Sequence, residues 1–198
     1  MSQNDLLSRA ISLIREAAAG KDRLLVALDG RCAAGKTTLA LAIAAELNCP
    51  LIHMDHFFLR PEQRTPERLS VPGENIDHER FLMEALIPLR EGVPFTYRRY
   101  LCHSARFGEP ISITPGPVNL VEGSYACHPA LRDFYDLRLF LTVDPATQIS
   151  RIEARNGAAD ALVFARRWIP LEESYIASCG VCECCVLLNG SKRTSNTP

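Results

Sequence analysis

The chain has 198 residues, 47% hydrophobic and 23% charged, with a formal net charge of −1. That length can bury a sizeable core in one α/β domain. A near-neutral chain carries no basic field for nucleic acid or an anionic membrane, and no apolar run approaches the roughly 20 residues that span a bilayer.

Leu6 to Ala19 places apolar residues at helical spacing, and Gly20 is a C-cap candidate. Leu24-Leu25-Val26-Ala27-Leu28 is a continuous apolar run, the mark of a buried parallel strand. After a Gly-rich turn, Thr37 to Leu47 reads as a helix and Leu51-Ile52-His53-Met54 as a second short strand. Arg60 to Asn75 is rich in Pro and charge and predicts an irregular excursion. Asp77 can cap a helix running to about Arg90, with Phe81, Leu82, Ala85, Leu86 and Leu89 on one face. Pro94 to Pro117 suggests an edge hairpin. Val118 to Val121 and Leu137 to Val143 are two more strands, and Asp144-Pro145 opens a helix that ends near Asn156-Gly157. Ala161 to Arg167 and Leu171 to Ser178 read as two further helices, and Val186-Leu187-Leu188 as a fifth strand.

Strands alternate with helices, with no internal repeat and no interdomain linker. The pattern predicts a doubly wound, mostly parallel five-stranded sheet flanked by helices, with a small lid and an edge hairpin. A single domain is expected over 1–189, with an acceptor-covering segment near 60–117, a lid near 155–170 and a polar tail over 190–198. The N-terminus, Met1-Ser2-Gln3-Asn4-Asp5, lacks a basic segment followed by an apolar run, so no secretory signal is expected and the protein is expected to be cytoplasmic.

The strongest chemical signal is Gly30-Arg31-Cys32-Ala33-Ala34-Gly35-Lys36-Thr37, which satisfies the P-loop pattern between a strand and a helix. Its glycines let the backbone fold around phosphates, and successive N–H groups and the helix N-terminus supply positive potential. Gly30, Ala33, Ala34, Gly35, Lys36, Thr37 and Thr38 are thus candidate ATP contacts. Lys36 is placed on the β- and γ-phosphates and the Thr37 hydroxyl on magnesium. The guanine-reading string Asn-Lys-x-Asp is absent and the chain is short for a motor, both of which favour a small kinase.

The second strand ends in His53-Met54-Asp55-His56-Phe57-Phe58. Ligands gather at strand carboxyl ends in such sheets, so Asp55 can accept the proton of an attacking hydroxyl; a turn or helix-cap role is the alternative. Leu120-Val121-Glu122-Gly123 leads an apolar strand to an acid, where Glu122 can hold magnesium waters or touch the acceptor. Arg151 and Arg155 lie four apart on one helical face, suited either to stabilising transferring phosphate or to a solvated basic stripe.

These pieces together resemble the uridine kinase and phosphoribulokinase family of P-loop kinases. The resemblance rests on Gly30 to Thr38, His53 to Phe58, Val121-Glu122-Gly123-Ser124-Tyr125-Ala126, Tyr135 to Asp144 and Arg151-Ile152-x-x-Arg155-Asn156, and spans about Leu24 to Tyr175. It implies ATP- and Mg2+-dependent phosphotransfer to a primary hydroxyl of a nucleoside-like acceptor, uridine or cytidine first. It casts Asp55 as the base, Glu122 near magnesium or acceptor, and Arg155, with Arg151, as lid arginines. Tyr97, Arg98, Arg99, Tyr100 and His103 fall where such kinases close over the acceptor, so Tyr97, Arg99 and His103 join Asp55 and Glu122 as substrate-binding candidates. The chain departs from the family at Ala33, where Gly is common, and in the apolar stretch Asn156 to Ile169, which lacks the usual arginines. Those departures leave pantothenate-like compounds and sugar phosphates as alternative acceptors. Partners are expected to be small molecules, with no nucleic acid and no membrane, and homo-oligomerisation is left open.

Four of the eight Cys crowd into Cys179-Gly-Val-Cys182-Glu-Cys184-Cys185. In a reducing cytosol they are not a disulfide framework by default. They could bind zinc or copper(I), form an oxidation-sensitive patch or simply pack around the last strand. The metal option defines a second reading of the whole chain, a nucleotide-switched metal-handling module. Cys32, inside the P-loop, could make nucleotide binding sensitive to thiol modification.

Overall fold

The computed structural model describes residues 3–191, so the predicted tail lies outside the described residues from position 192 onward. β1 (Leu24–Gly30) is buried along its whole length, because both faces of the sheet are covered. Leu24, Val26 and Leu28 join one apolar cluster with Ala10, Ile14, Leu39 and Ile43 from α1 (Gln3–Ala18) and α2 (Lys36–Leu47). Leu25 and Ala27 point the other way, into a cluster with Phe57, Phe81, Phe140 and Tyr175.

β2 (Leu51–His53), β5 (Val118–Glu122), β6 (Leu137–Thr142) and β7 (Val186–Asn189) complete a five-stranded parallel sheet in the order β2-β5-β1-β6-β7. Chain order reverses direction around β1, which pairs with β5 on one side and β6 on the other. The crevice beyond the carboxyl ends at such a switch point is where open α/β sheets bind ligands. Gly30, His53 and Glu122 all sit at those ends.

β3 (Phe95–Leu101) and β4 (Arg106–Ile113) form the expected hairpin as a separate two-stranded sheet. The excursion before it holds a 3-10 turn (Pro61–Gln63) and a short helix, α3 (Pro66–Ser70), and is closed by an antiparallel bridge between Phe58 and Ile76. Asp77 caps α4 (His78–Phe81), accepting the Arg80 N–H at 3.1 Å.

The helix expected from Asp77 to about Arg90 forms, with one wider turn inside it, whereas the later pair departs from expectation. α4 runs through a π turn at Leu82–Leu86 into α5 (Ile87–Glu91). After α6 (Pro145–Asn156), α7 (Ala158–Val163) runs through a second π turn at Phe164–Trp168 into α8 (Ile169–Ser178). The two helices expected over Ala161–Arg167 and Leu171–Ser178 are therefore one continuous rod. Pro88 and Pro170 each follow a π turn that contains the residue four before them. A proline ring crowds that carbonyl in a regular helix, and widening the preceding turn relieves it without ending the helix. Among the described residues no helix is long and apolar enough to cross a membrane.

Candidate active site

The cradle begins where β1 stops. Gly30 has φ +148°, and a Cβ there would run into the Leu141 carbonyl of β6, so only glycine fits. Ala33 (φ 56°) and Gly35 (φ 102°) also take left-handed backbone, which curls the loop over the start of α2. No side chain caps α2, so its first N–H groups stay available to an anion. The Lys36 ammonium is folded into this loop, donating to the carbonyls of Gly30 (2.6 Å) and Arg31 (3.0 Å) and to Ser124 Oγ (3.1 Å).

Beside it, Thr37 Oγ1 donates to the Glu122 carboxylate at 3.2 and 3.3 Å. Glu122 is buried at 3% exposure and also meets His53 Nδ1 at 2.5 Å. β5 delivers Glu122 here because its register sets it opposite Leu28 on β1 and His53 on β2. Asp55 follows β2 on a single 3-10 turn, Met54–Phe57, with its carboxyl open to the same cavity. Lost solvation pushes its pKa up, with the Lys36 charge pulling the other way.

A third acid of the cavity lining completes the loop. Glu172 on α8, 4% exposed, accepts the Cys32 N–H at 2.8 Å and the Ser124 hydroxyl at 2.7 Å. Asp29, the residue before Gly30, accepts from the Gly30 and Cys127 N–H groups and the Tyr175 hydroxyl. Burial lifts its pKa to about 6. Arg31 is held by Glu173 through two bonds of 2.6 and 2.8 Å, and that pairing raises its pKa. Burial and Glu172 push the Cys32 thiol up to about 12, which disfavours its thiolate.

The cavity these groups enclose holds about 570 Å³. Ala33, Gly35, Lys36, Thr37, Thr38, Asp55, Glu122 and Arg155 line it; Gly30 and Ala34 lie behind the wall. Arg151 also lines it and donates to the Ala33 and Ala34 carbonyls at 3.2 and 2.9 Å, buttressing the loop.

The hairpin candidates fall elsewhere. Tyr97 is buried in the core, stacked on Phe57 with its hydroxyl 2.9 Å from His56 Nδ1. Arg99 is exposed outside the lining, though close enough for its charge to offset a little of the rise in the Asp55 pKa. His103 sits in the exposed turn of the hairpin. The walls come instead from Phe58, Arg64, Asn75, Tyr125, Phe164 and Trp168. Of these, Phe58 and Tyr125 lay inside quoted motifs without a role, and the others carried no local signal.

The thiols do not converge on a metal. Among the described residues, the donors that meet at one point are Glu74, His78 and His128, away from the cavity lining. His128 Nδ1 accepts the Ala130 N–H, so Nε2 carries the ring proton toward Glu74. The two imidazoles stack at 4.3 Å. This arrangement ties the excursion to the loop after β5.

No protein-family model and no curated protein matches the chain. Solved structures do match its fold. A protein described as a possible uridine kinase from Bacillus stearothermophilus superposes with a TM-score of 0.69 at 19% identity, covering 95% of this chain and all of the other. A candidate fructose transport system kinase from Silicibacter sp. TM1040 gives 0.62 at 20% identity, covering 93% and 97%. D-glycerate 3-kinase from Cryptococcus neoformans gives 0.54 at 13% identity, covering 84% and 87%. The chain has the fold of P-loop kinases.

Proposed function

We propose that the chain is an ATP-dependent kinase that moves the γ-phosphate onto a hydroxyl of a small acceptor. The observation that carries this reading is the meeting, in one cavity, of a P-loop lysine, the Thr37–Glu122 pair and a free carboxyl at Asp55. A nucleotide switch needs the first two but not the third. The kinases of similar fold support the reaction class and name several different acceptors.

Thr37 and Glu122 offer hard oxygen donors, the kind magnesium takes, so this pair fits the ion. Bound there, magnesium would neutralise charge on the phosphates. Lys36 leaves its two backbone carbonyls to bridge the β- and γ-phosphates, and Arg155 covers the transferring group while Arg151 braces the loop beneath it. Asp55 takes the proton from the acceptor hydroxyl. The oxygen then attacks the γ-phosphorus as the bond to ADP breaks. An elevated pKa suits Asp55 to that task by making it a stronger base. Positioning and charge neutralisation supply the rate.

The walls support a nucleoside-like acceptor, with uridine and cytidine first. Phe58, Tyr125, Phe164 and Trp168 offer flat apolar surface, and Asn75 and Arg64 offer hydrogen bonds. A second reading, an anionic acceptor such as a sugar phosphate or a pantothenate-like acid, draws on an adjoining hollow lined by Arg64, Arg166 and Arg167. The test is ADP release from MgATP with each acceptor class, in the parent and in Asp55→Asn. At least one acceptor should stimulate release, and Asp55→Asn should lower that stimulation by about 10²–10⁴-fold with nucleotide binding retained. ATP cleavage that no acceptor accelerates would refute the proposal.

A further inference from the structure

Cys127 and Cys185 lie far apart in sequence, yet their sulfurs are 3.6 Å apart. A third sulfur, that of Cys184, lies 3.8 Å from Cys185. Cys127 belongs to the loop after β5 and is fully buried. Cys185 ends the turn between α8 and β7 and is partly open to solvent. Two arginines hold that turn, Arg132 donating to the Cys179 carbonyl at 3.0 Å and Arg138 to the Cys184 carbonyl at 2.9 Å. None of the three thiols lines the cavity, and phosphate transfer gives them no task.

We propose that Cys127 and Cys185 form a redox pair, in which a peroxide oxidises Cys185 and Cys127 then closes a disulfide. The Cys185 thiolate attacks one peroxide oxygen. The O–O bond breaks, hydroxide leaves and is protonated to water, and Cys185 is left as a sulfenic acid. The Cys127 sulfur then attacks that of Cys185. An S–S bond forms as the S–O bond breaks, and hydroxide leaves with the Cys127 proton as a second water. Two thiols thus give two electrons and two protons to one hydrogen peroxide.

Surroundings divide the roles. Contact with the Cys127 and Cys184 sulfurs holds the Cys185 thiol below its ordinary range against the effect of burial, and Arg138 assists. Cys127 is held well above it, first by its bond to Cys185 and then by burial. Cys185 is therefore the readier of the two to form a thiolate and the more accessible sulfur, and Cys127 is the buried partner that resolves. Contact already exists, so closure asks little backbone movement. The pair also sits next to the cradle, because the Cys127 N–H binds Asp29 at 2.9 Å. It stands whether or not the chain is a kinase.

The test uses the full chain, reduced, treated with stoichiometric hydrogen peroxide, alkylated unfolded and digested with trypsin. Peptide 107–132 carries Cys127 alone, and peptide 168–192 carries Cys179, Cys182, Cys184 and Cys185. The expected product joins these two peptides with loss of two hydrogens, and dithiothreitol releases it. Fragmentation of the joined peptides should place the bond on Cys185. Cys185→Ala should abolish it, whereas Cys102→Ala, at an exposed site outside the trio, should not. Full alkylation of Cys127 after peroxide, or fragmentation that places the bond on Cys179 or Cys182, would overturn the proposal.

Discussion

Tyr175→Phe removes one oxygen and no packing, and so isolates the bond that ties α8 to the P-loop strand. Asp29 is 1% exposed and accepts from Gly30 N–H at 2.7 Å, Cys127 N–H at 2.9 Å and the Tyr175 hydroxyl at 2.8 Å. Burial outweighs all three and raises its pKa to about 6. At about pH 8 the hydroxyl donates to a buried carboxylate, a bond worth about 2 kcal/mol. At about pH 5 Asp29 is protonated, and the same bond falls to about 1 kcal/mol. The variant should lose those amounts of stability at the two pH values.

The difference of about 1 kcal/mol corresponds to a further rise of a little under one unit in the Asp29 pKa, since one unit is about 1.4 kcal/mol. Because the folded value lies above the ordinary 3.8, the stability Asp29 contributes is complete below 3.8 and is lost as pH rises through about 6. Removing the donor moves the end of that loss to higher pH. Urea unfolding followed by circular dichroism reads both values from the midpoints at constant slope. Equal losses at the two pH values, or none at the higher one, would refute the assignment of a buried carboxylate.

Gly30→Ala drives a Cβ into the Leu141 carbonyl and should destabilise the fold by about 3 kcal/mol, seen as a lower Tm in calorimetry. His56 and His128 are both pushed down to about 4, in each case mainly by burial. Their imidazole NMR signals should titrate near that value. Their folded pKa lies below the unfolded 6.5, so their contribution is complete above 6.5 and is lost as pH falls toward 4.

Much of the main sheet could be read from the chain because apolar runs such as Leu24 to Leu28 have no use except inside a covered sheet. The P-loop was legible because its spacing is dictated by phosphate geometry, and Glu122 because it ends an apolar strand. The walls of the cavity were not. Glu172 sits on a helix whose pattern is that of any packed helix, and only folding brings it to Cys32. Asp29 hid inside a strand, and Trp168 and Phe164 in an apolar stretch. A proline ends a regular helix, but a π turn absorbs Pro170 here and the rod continues.

The hairpin misled for another reason. Strict alternation would put Tyr97 and Arg99 on one face of the strand. An irregularity in pairing between Arg98 and Tyr100 turns both arginines outward and both tyrosines inward. That break in register is invisible in composition. It brings Tyr100 into the core beside Tyr97 and leaves Arg99 outside.

Titration calorimetry of MgATP into the parent chain and into Lys36→Ala tests the central claim most directly. A saturable heat with the parent that disappears in the variant, while far-ultraviolet circular dichroism stays the same, is the predicted result. No heat with the parent, or the same affinity in both, would contradict it.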